Sequence, residues 1–327
     1  MNPFQKWALA TTIATFVLIM IGGIVRASDS GLGCPDWPQC FGRPYPPLTE
    51  SQVPDHIDAE QFDFQAAWIE YVNRLVGVLI GFLILGTMYH ALKSHRRVPR
   101  VLYPTIAAFM LVLFQGWLGG EVVESELNPL HITAHLVLAL LIVNLLLYAT
   151  VSAFFPETRP YANLPRQRRT LGRFALLVLV LVLVQVGFGA GLRGELEIVE
   201  DESPTLARGE WIEEAGWVDP VHRSFSWLVL AGVGGLVYYT HRRMQEQHHL
   251  IQWAARAAGG LVIVQILAGI GLAYGPLPPI LQVTHLVGAS LLVGALMALY
   301  LLASRIPTET SSPQSSLQQQ LLSRHAA

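Results

Sequence analysis

Three histidines, His135, His222 and His285, stand near the starts of strongly apolar stretches. Within a bilayer an ionisable side chain is costly and ordinarily faces a bundle interior or a cavity, so each is a functional candidate by default; a hydrogen-bonded interfacial histidine is the plainer alternative for any one alone. His222 and His285 fall on different helices at matched depth, which suits two axial imidazoles on either side of a haem. Zinc ordinarily takes more ligands than this pair supplies. Arg223 follows His222 as Arg74 follows Asn73. A guanidinium at either place can clamp haem propionates by charge-assisted, bidentate hydrogen bonds, or simply snorkel toward the headgroups.

Glu70 precedes Asn73 and Arg74 by one helical turn, so the three share a face. Its carboxylate can accept a proton or stabilise positive charge developing on a reacting carbon; the plainer use of an acid near a helix start is to interact with the helix dipole. His131 lies four residues before His135 and is expected in a supporting position beside the same pocket. The only cysteines, Cys34 and Cys40, lie in Gly31-Leu-Gly-Cys-Pro-Asp-Trp-Pro-Gln-Cys-Phe-Gly42. In an oxidising compartment a short-range disulfide is the leading reading. A redox-active dithiol is the sharper alternative, and metal binding lacks neighbouring ligands.

The elements that carry these groups follow from hydropathy. Of 327 residues 52% are hydrophobic and 13% charged, too apolar a balance for a soluble domain of this length. A spanning helix needs about 20 apolar residues, and such stretches lie near 7–26, 67–92, 102–119, 130–154, 171–191, 219–240, 252–273 and 280–303, eight expected spans. The first is longer than a typical signal h-region and has no clean A-x-A cleavage site, so it is read as a helix. Lys93, Arg96, Arg97 and Arg100, then Arg159, Arg166, Arg168, Arg169 and Arg173, then Arg242, Arg243 and Arg256 alternate with acidic connections at Glu121 to Glu126 and Glu195 to Glu214. The positive-inside rule then places both termini in the cytoplasm. The net charge of −2 brings no basic surface for nucleic acid. The Ser- and Gln-rich tail after Ser304 is expected to be disordered.

The chain also matches itself. An offset of 150 pairs Gln115 with Gln265, Gly119 with Gly269, Pro129 with Pro279, and His135-Leu-Val137 with His285-Leu-Val287; an offset of 149 pairs Glu70, Asn73 and Arg74 with Asp219, His222 and Arg223. The expected fold is therefore an all-α polytopic membrane protein of eight transmembrane helices, built as two parallel four-helix-bundle repeats related by an axis along the membrane normal. Residues 1–154 form the amino-terminal half, 155–170 a cytoplasmic linker, 171–303 the carboxy-terminal half and 304–327 the tail. The glycines around 116–120, 187–191 and 269–271 admit close approach of a helix or a flat macrocycle. The halves differ where it matters: Asn73 replaces His222, and asparagine is a poor iron ligand beside imidazole. Loose coordination suits a substrate better than a fixed electron carrier.

Taken together, Gly23-Ile-Val-Arg26, Ser30-Gly-Leu-Gly-Cys-Pro-Asp-Trp-Pro-Gln-Cys40, Glu70-Tyr-Val-Asn-Arg74, His135-Leu136, His222-Arg223 and His285-Leu286 resemble the haem A synthase family across nearly the whole chain. The resemblance implies an oxidoreductase that oxidises the C8 methyl of haem O to a formyl group by successive hydroxylations, for aa3-type terminal oxidases; the absence of a transit peptide favours a bacterial inner membrane over a mitochondrial one. It implies haem b as cofactor on His222 and His285, haem O bound at His135, Glu70 as the catalytic carboxylate, and Cys34 with Cys40 as the first-loop cysteine pair. Asn73 departs from the family pattern, standing where many members have a second substrate-side histidine, and the loop between spans five and six lacks the cysteine pair that some members possess. The partners expected are haem O, the lipid bilayer, a haem O synthase and cytochrome oxidase assembly factors, with a homo-oligomer left open. A membrane haem b electron carrier or oxidase-assembly protein of the same fold, without the oxidation, is the alternative.

Overall fold

The computed structural model describes residues 1–54, 62–156, 164–203, 205–206, 208–244, 248–275 and 277–306. Among these the chain forms nine α-helices: α1 (Pro3–Ala27), α2 (Phe64–Ser94), α3 (Pro99–Glu124), α4 (Pro129–Phe154), α5 (Arg166–Glu202), α6 (Arg208–Glu214), α7 (Val218–Arg243), α8 (His249–Tyr274) and α9 (Pro279–Arg305). Their starts are written locally. Pro3, Pro99, Pro129 and Pro279 occupy first-turn positions where a missing N–H costs nothing. Asn2 and Gln5 form a reciprocal capping box on α1, and Asp63 caps α2 by accepting from the Ala66 amide at 2.8 Å.

Seven helices, α1 to α5, α8 and α9, are long and apolar enough to cross a bilayer. The sequence led us to expect eight. The helix that falls short is α7, which matches the others in length but begins with Asp219, His222 and Arg223 and ends with His241, Arg242 and Arg243. Helix α5 runs past its apolar stretch to Glu202, so part of the expected acidic loop is helical, with Arg193 and Glu197 paired at 3.1 Å one turn apart. It starts at Arg166, inside the expected linker. The tail beyond Ile306 and the linker residues 157–163 lie outside the described residues.

The helices pack as two closed sets. In one, α1 contacts α2 and α4, α2 contacts α3, and α3 contacts α4; in the other, α5 contacts α7 and α9, α7 contacts α8, and α8 contacts α9. The second set shares one apolar core through Leu171, Val178, Val233, Ile251 and Leu296. Large apolar side chains such as Phe82, Tyr103, Trp227 and Leu267 point outward, the distribution a lipid solvent requires. Between α1 and α2, Thr11 and Thr87 share a hydrogen bond of 2.8 Å, and between α1 and α4, Thr12 and Thr150 share one of 3.1 Å. Hydroxyls bonded across helices in this way, together with small residues, are how packing is secured where no hydrophobic effect operates.

The two sets join along α1–α9 and α4–α9 by reciprocal small-residue packing. Leu286 of α9 sits where a Cβ on Gly23 would be, 2.7 Å away, and Phe16 of α1 lies 2.8 Å from where a Cβ on Gly294 would be. At the end bearing the cysteine loop, Arg26 of α1 pairs with Glu197 of α5 at 2.6 Å. At the opposite end Arg305 of α9 hydrogen-bonds Ser152 of α4 and lies 4.6 Å from the Tyr148 ring centroid.

Close packing of this kind predicts opposite outcomes for two glycines of α2. A Cβ on Gly86 would lie 2.4 Å from the Trp7 ring, whereas Gly81 faces open space. Gly86→Val is expected to destabilise the protein by about 1–3 kcal/mol, read as a lower thermal midpoint in detergent, and Gly81→Val to leave the midpoint unchanged.

Candidate functional site

Glu70 and Arg74 form the polar centre of the first bundle. The Glu70 residue is 3% exposed, and its Oε1 accepts from Arg74 Nη2 at 2.5 Å and from Nε at 3.1 Å. Its Oε2 accepts from the Cys34 amide at 2.8 Å. The guanidinium is engaged further: Nη1 donates to the carbonyls of Asp36 at 2.7 Å and Gln39 at 2.5 Å, and Nη2 to that of Cys34 at 3.4 Å. Arg74 is thus bound to Glu70 and to the cysteine loop.

That loop is closed by a Cys34–Cys40 disulfide, with both cysteines fully buried beside Phe41 and Ala67. Asp36 shapes the turn by accepting from the Phe41 amide at 2.6 Å and the Gly42 amide at 2.8 Å. Glycine is needed at 33 because a Cβ there would fall 2.4 Å from the Ala66 carbonyl, so the loop backbone lies directly on α2. Trp37 at the tip reaches α3, where a Cβ on Gly120 would come within 3.0 Å of its indole. The loop therefore covers one end of the bundle from α2 to α3. Among the described residues there is no group of three or more His, Cys, Asp or Glu that could hold a bare metal ion.

The second bundle repeats the acid–arginine pair. Asp219 accepts from Arg223 at 2.7 Å, again one turn apart, and Arg223 also stands 5.6 Å from the Tyr274 ring centroid. The Arg223 side chain is 37% exposed against 13% for Arg74.

His222 on α7 and His285 on α9 face each other with ring centroids 6.4 Å apart and planes at 67°. Two axial imidazoles, each about 2 Å from a metal through nitrogen, bring their centroids to about 6 Å, and each plane is free to turn about the metal–nitrogen axis. The separation fits a shared haem iron. Each ring backs onto a glycine of a neighbouring helix: a Cβ on Gly189 of α5 would lie 2.9 Å from His222 Cε1, and one on Gly269 of α8 would lie 3.5 Å from His285 Cε1. Each histidine carbonyl also accepts from a glutamine one turn before that glycine, Gln185 to His222 at 2.9 Å and Gln265 to His285 at 2.9 Å. The Nδ1 atoms of both rings are buried without a protein partner.

His135 on α4 has the same surroundings. Gly119 of α3 would place a Cβ 3.4 Å from its Cε1, Gln115 donates to its carbonyl at 3.0 Å, and its Nδ1 is buried and unpartnered. Asn73 on α2 also faces a glycine, its Oδ1 3.8 Å from the Cβ position of Gly22 on α1, and that oxygen is buried and unpartnered. His131 bonds Ser125 Oγ through Nδ1 at 2.8 Å and so ties the start of α4 to the end of α3. Gln185 and Gly189 were not singled out as a pair from the sequence. The repeated spacing Gln115-x-x-x-Gly119, Gln185-x-x-x-Gly189 and Gln265-x-x-x-Gly269 was the available signal.

With this geometry in hand, comparison with known proteins is specific. The COX15-CtaA family of cytochrome oxidase assembly proteins matches over residues 5–297, and the chain belongs to it. Relatives named Heme A synthase include that of Shewanella oneidensis, 26% identical over 90% of this chain and 94% of its own length. Those of Flavobacterium johnsoniae, at 24% over 89% of this chain and 94% of its own, and Paramagnetospirillum magneticum, at 28% over 92% and 94%, are similar to the same extent.

The two acid–arginine pairs predict unequal penalties. Glu70→Ala leaves a buried guanidinium without its anion and is expected to cost about 3–5 kcal/mol. Asp219→Ala removes the partner of a more exposed arginine and is expected to cost about 1 kcal/mol or less. Thermal unfolding of the two variants in detergent checks the ranking.

Proposed function

We propose that the chain is a haem A synthase, oxidising a methyl substituent of haem O to a formyl group for aa3-type terminal oxidases. The observation that carries this reading is the asymmetry of the two bundles: one presents two facing histidines, the other one histidine, an asparagine and a buried carboxylate under a disulfide-closed loop. Family membership over residues 5–297 supports it. In this reading α7 is the eighth span, its charged residues and histidines confined to its first two turns and its last, and the bundles are parallel repeats with the loop end outside a bacterial inner membrane and both termini in the cytoplasm.

His222 and His285 hold haem b, and Arg223 stands beside them for its propionates. Haem b, when bound, supplies one-electron redox chemistry. His135 takes the iron of the substrate, haem O, on the amino-terminal side. Glu70 serves that side as the acceptor for a proton lost from the substrate. Arg74 and the Cys34 amide fix its two oxygens, so the carboxylate is oriented before substrate arrives and loses no rotamer freedom on binding. The loop from Cys34 to Cys40 excludes bulk water from this end, which strengthens electrostatic interactions beneath it.

Co-expression with a haem O synthase in a host lacking haem A tests the proposal. Extracted haems are expected to contain haem A with the wild-type chain and haem O alone with Glu70→Gln, while His222→Ala and His285→Ala purify depleted of haem b. Haem O alone with a folded, haem b-loaded wild type would assign the chain to electron transfer or oxidase assembly instead.

A further inference from the structure

Four side chains occupy the corresponding places of the two bundles, and each is set against a glycine of a neighbouring helix: Asn73 by Gly22, His135 by Gly119, His222 by Gly189 and His285 by Gly269. Behind each of the three histidines a glutamine one turn before the glycine donates to the histidine carbonyl, at 2.9 to 3.0 Å. An offset of 167 aligns Gly22 with Gly189 and places Leu18 where Gln185 stands. A leucine has no donor to offer. At a single one of the four places, the histidine and the glutamine that would brace its backbone are thus both absent.

Asparagine at 73 also ends one bond short of where a histidine Nε2 would lie, and its carboxamide is a weak iron ligand. Its Oδ1 is nevertheless buried and unpartnered, so the carboxamide holds an unused acceptor inside the bundle. Polar groups in that condition are expensive unless something fills their need. A polar group opposite a single proximal histidine is how a haem protein stabilises a small molecule on the iron.

We infer that the amino-terminal bundle binds its haem iron through His135 alone and keeps the opposite face, beside Asn73, open to a small iron ligand such as water, which donates to Asn73 Oδ1. This rests on the proposal that the amino-terminal bundle takes a haem. Leu18 and Asn73 together define the open face; the three Gln-x-x-x-Gly segments define closed, histidine-bearing positions.

The test uses the full-length protein loaded with haem b and haem O, oxidised to the ferric state under argon and titrated with cyanide, with haem-to-protein ratio, optical spectra and electron paramagnetic resonance recorded. Two haems per chain are expected: one low-spin and indifferent to cyanide, one high-spin and converted to low-spin by it. His135→Ala should remove the cyanide-sensitive haem. Asn73→Ala removes only the acceptor for a resting water and should keep this haem high-spin and cyanide-sensitive. Asn73→His should turn it low-spin and suppress cyanide binding, more completely with Leu18→Gln added. Two low-spin, cyanide-indifferent haems in the wild type would overturn the inference while leaving the haem site intact, as would an Asn73→His, Leu18→Gln variant that stays high-spin. Uptake of a single haem that His135→Ala does not alter would remove the amino-terminal haem site itself, and the inference with it.

Discussion

An imidazole ring held inside a bundle of apolar helices needs a neighbouring helix that comes close without filling the space the ring occupies. Glycine meets that condition most strictly at Gly189, where a Cβ would lie 2.9 Å from the His222 ring, while at Gly119 and Gly269 a Cβ would come into ordinary contact with His135 and His285 at 3.4 and 3.5 Å. The rest of the site depends on this fit. If a side chain replaced Gly189, the His222 ring would be driven from its place opposite His285. The glutamine one turn away adds a hydrogen bond to the histidine's own carbonyl, so backbone and ring are both located by the same facing helix. A site built from packed helices is held more closely than one built on loops.

The buried ion pair plays a different part. Removing two charges from water is repaid only when their remaining hydrogen-bonding capacity is met, and the cysteine loop supplies what is missing: an amide for Glu70 and three carbonyls for Arg74. The loop is in turn held to α2 by those bonds. Loop and ion pair stabilise each other, and the carboxylate gains a fixed orientation as a by-product. Asp219 and Arg223 keep the pair, and Arg223 has an exposed face and an aromatic neighbour.

Much of this is legible in the sequence because it is periodic. Apolar runs of spanning length, the one-turn spacing of Glu70 and Arg74, and the matched His135 and His285 segments are local patterns, and each is found in the structure as helix, ion pair or equivalent contact. What depended on tertiary neighbours was not legible. Nothing in the spacing around Arg74 announces that its guanidinium is occupied by carbonyls of residues 34 to 39, and nothing near Arg26 names Glu197 as its partner from the other bundle. Helix α7 shows the converse limit: the serines, glycines, tyrosines and threonine along its length lower its hydropathy although its packing between α5 and α8 is that of a bundle member. Gln185 is an intermediate case, written in a recurring spacing but meaningful only once its carbonyl partner is seen.

The two bundles are fastened at both ends and along their length, by Arg26 with Glu197 at one end, Arg305 with Ser152 at the other, and the interlocked Gly23–Leu286 and Phe16–Gly294 contacts between. Membrane proteins that carry cargo across a bilayer rock one bundle against the other, and such motion requires an interface that slides. An interface keyed by side chains seated in glycine notches in both directions resists sliding. The distance between His135 and the His222–His285 pair is then a constant of the fold. Electron tunnelling rates fall steeply with separation, so if the proposed haems occupy these histidines, a fixed spacer of this kind would set the pace of exchange between them once, in the packing.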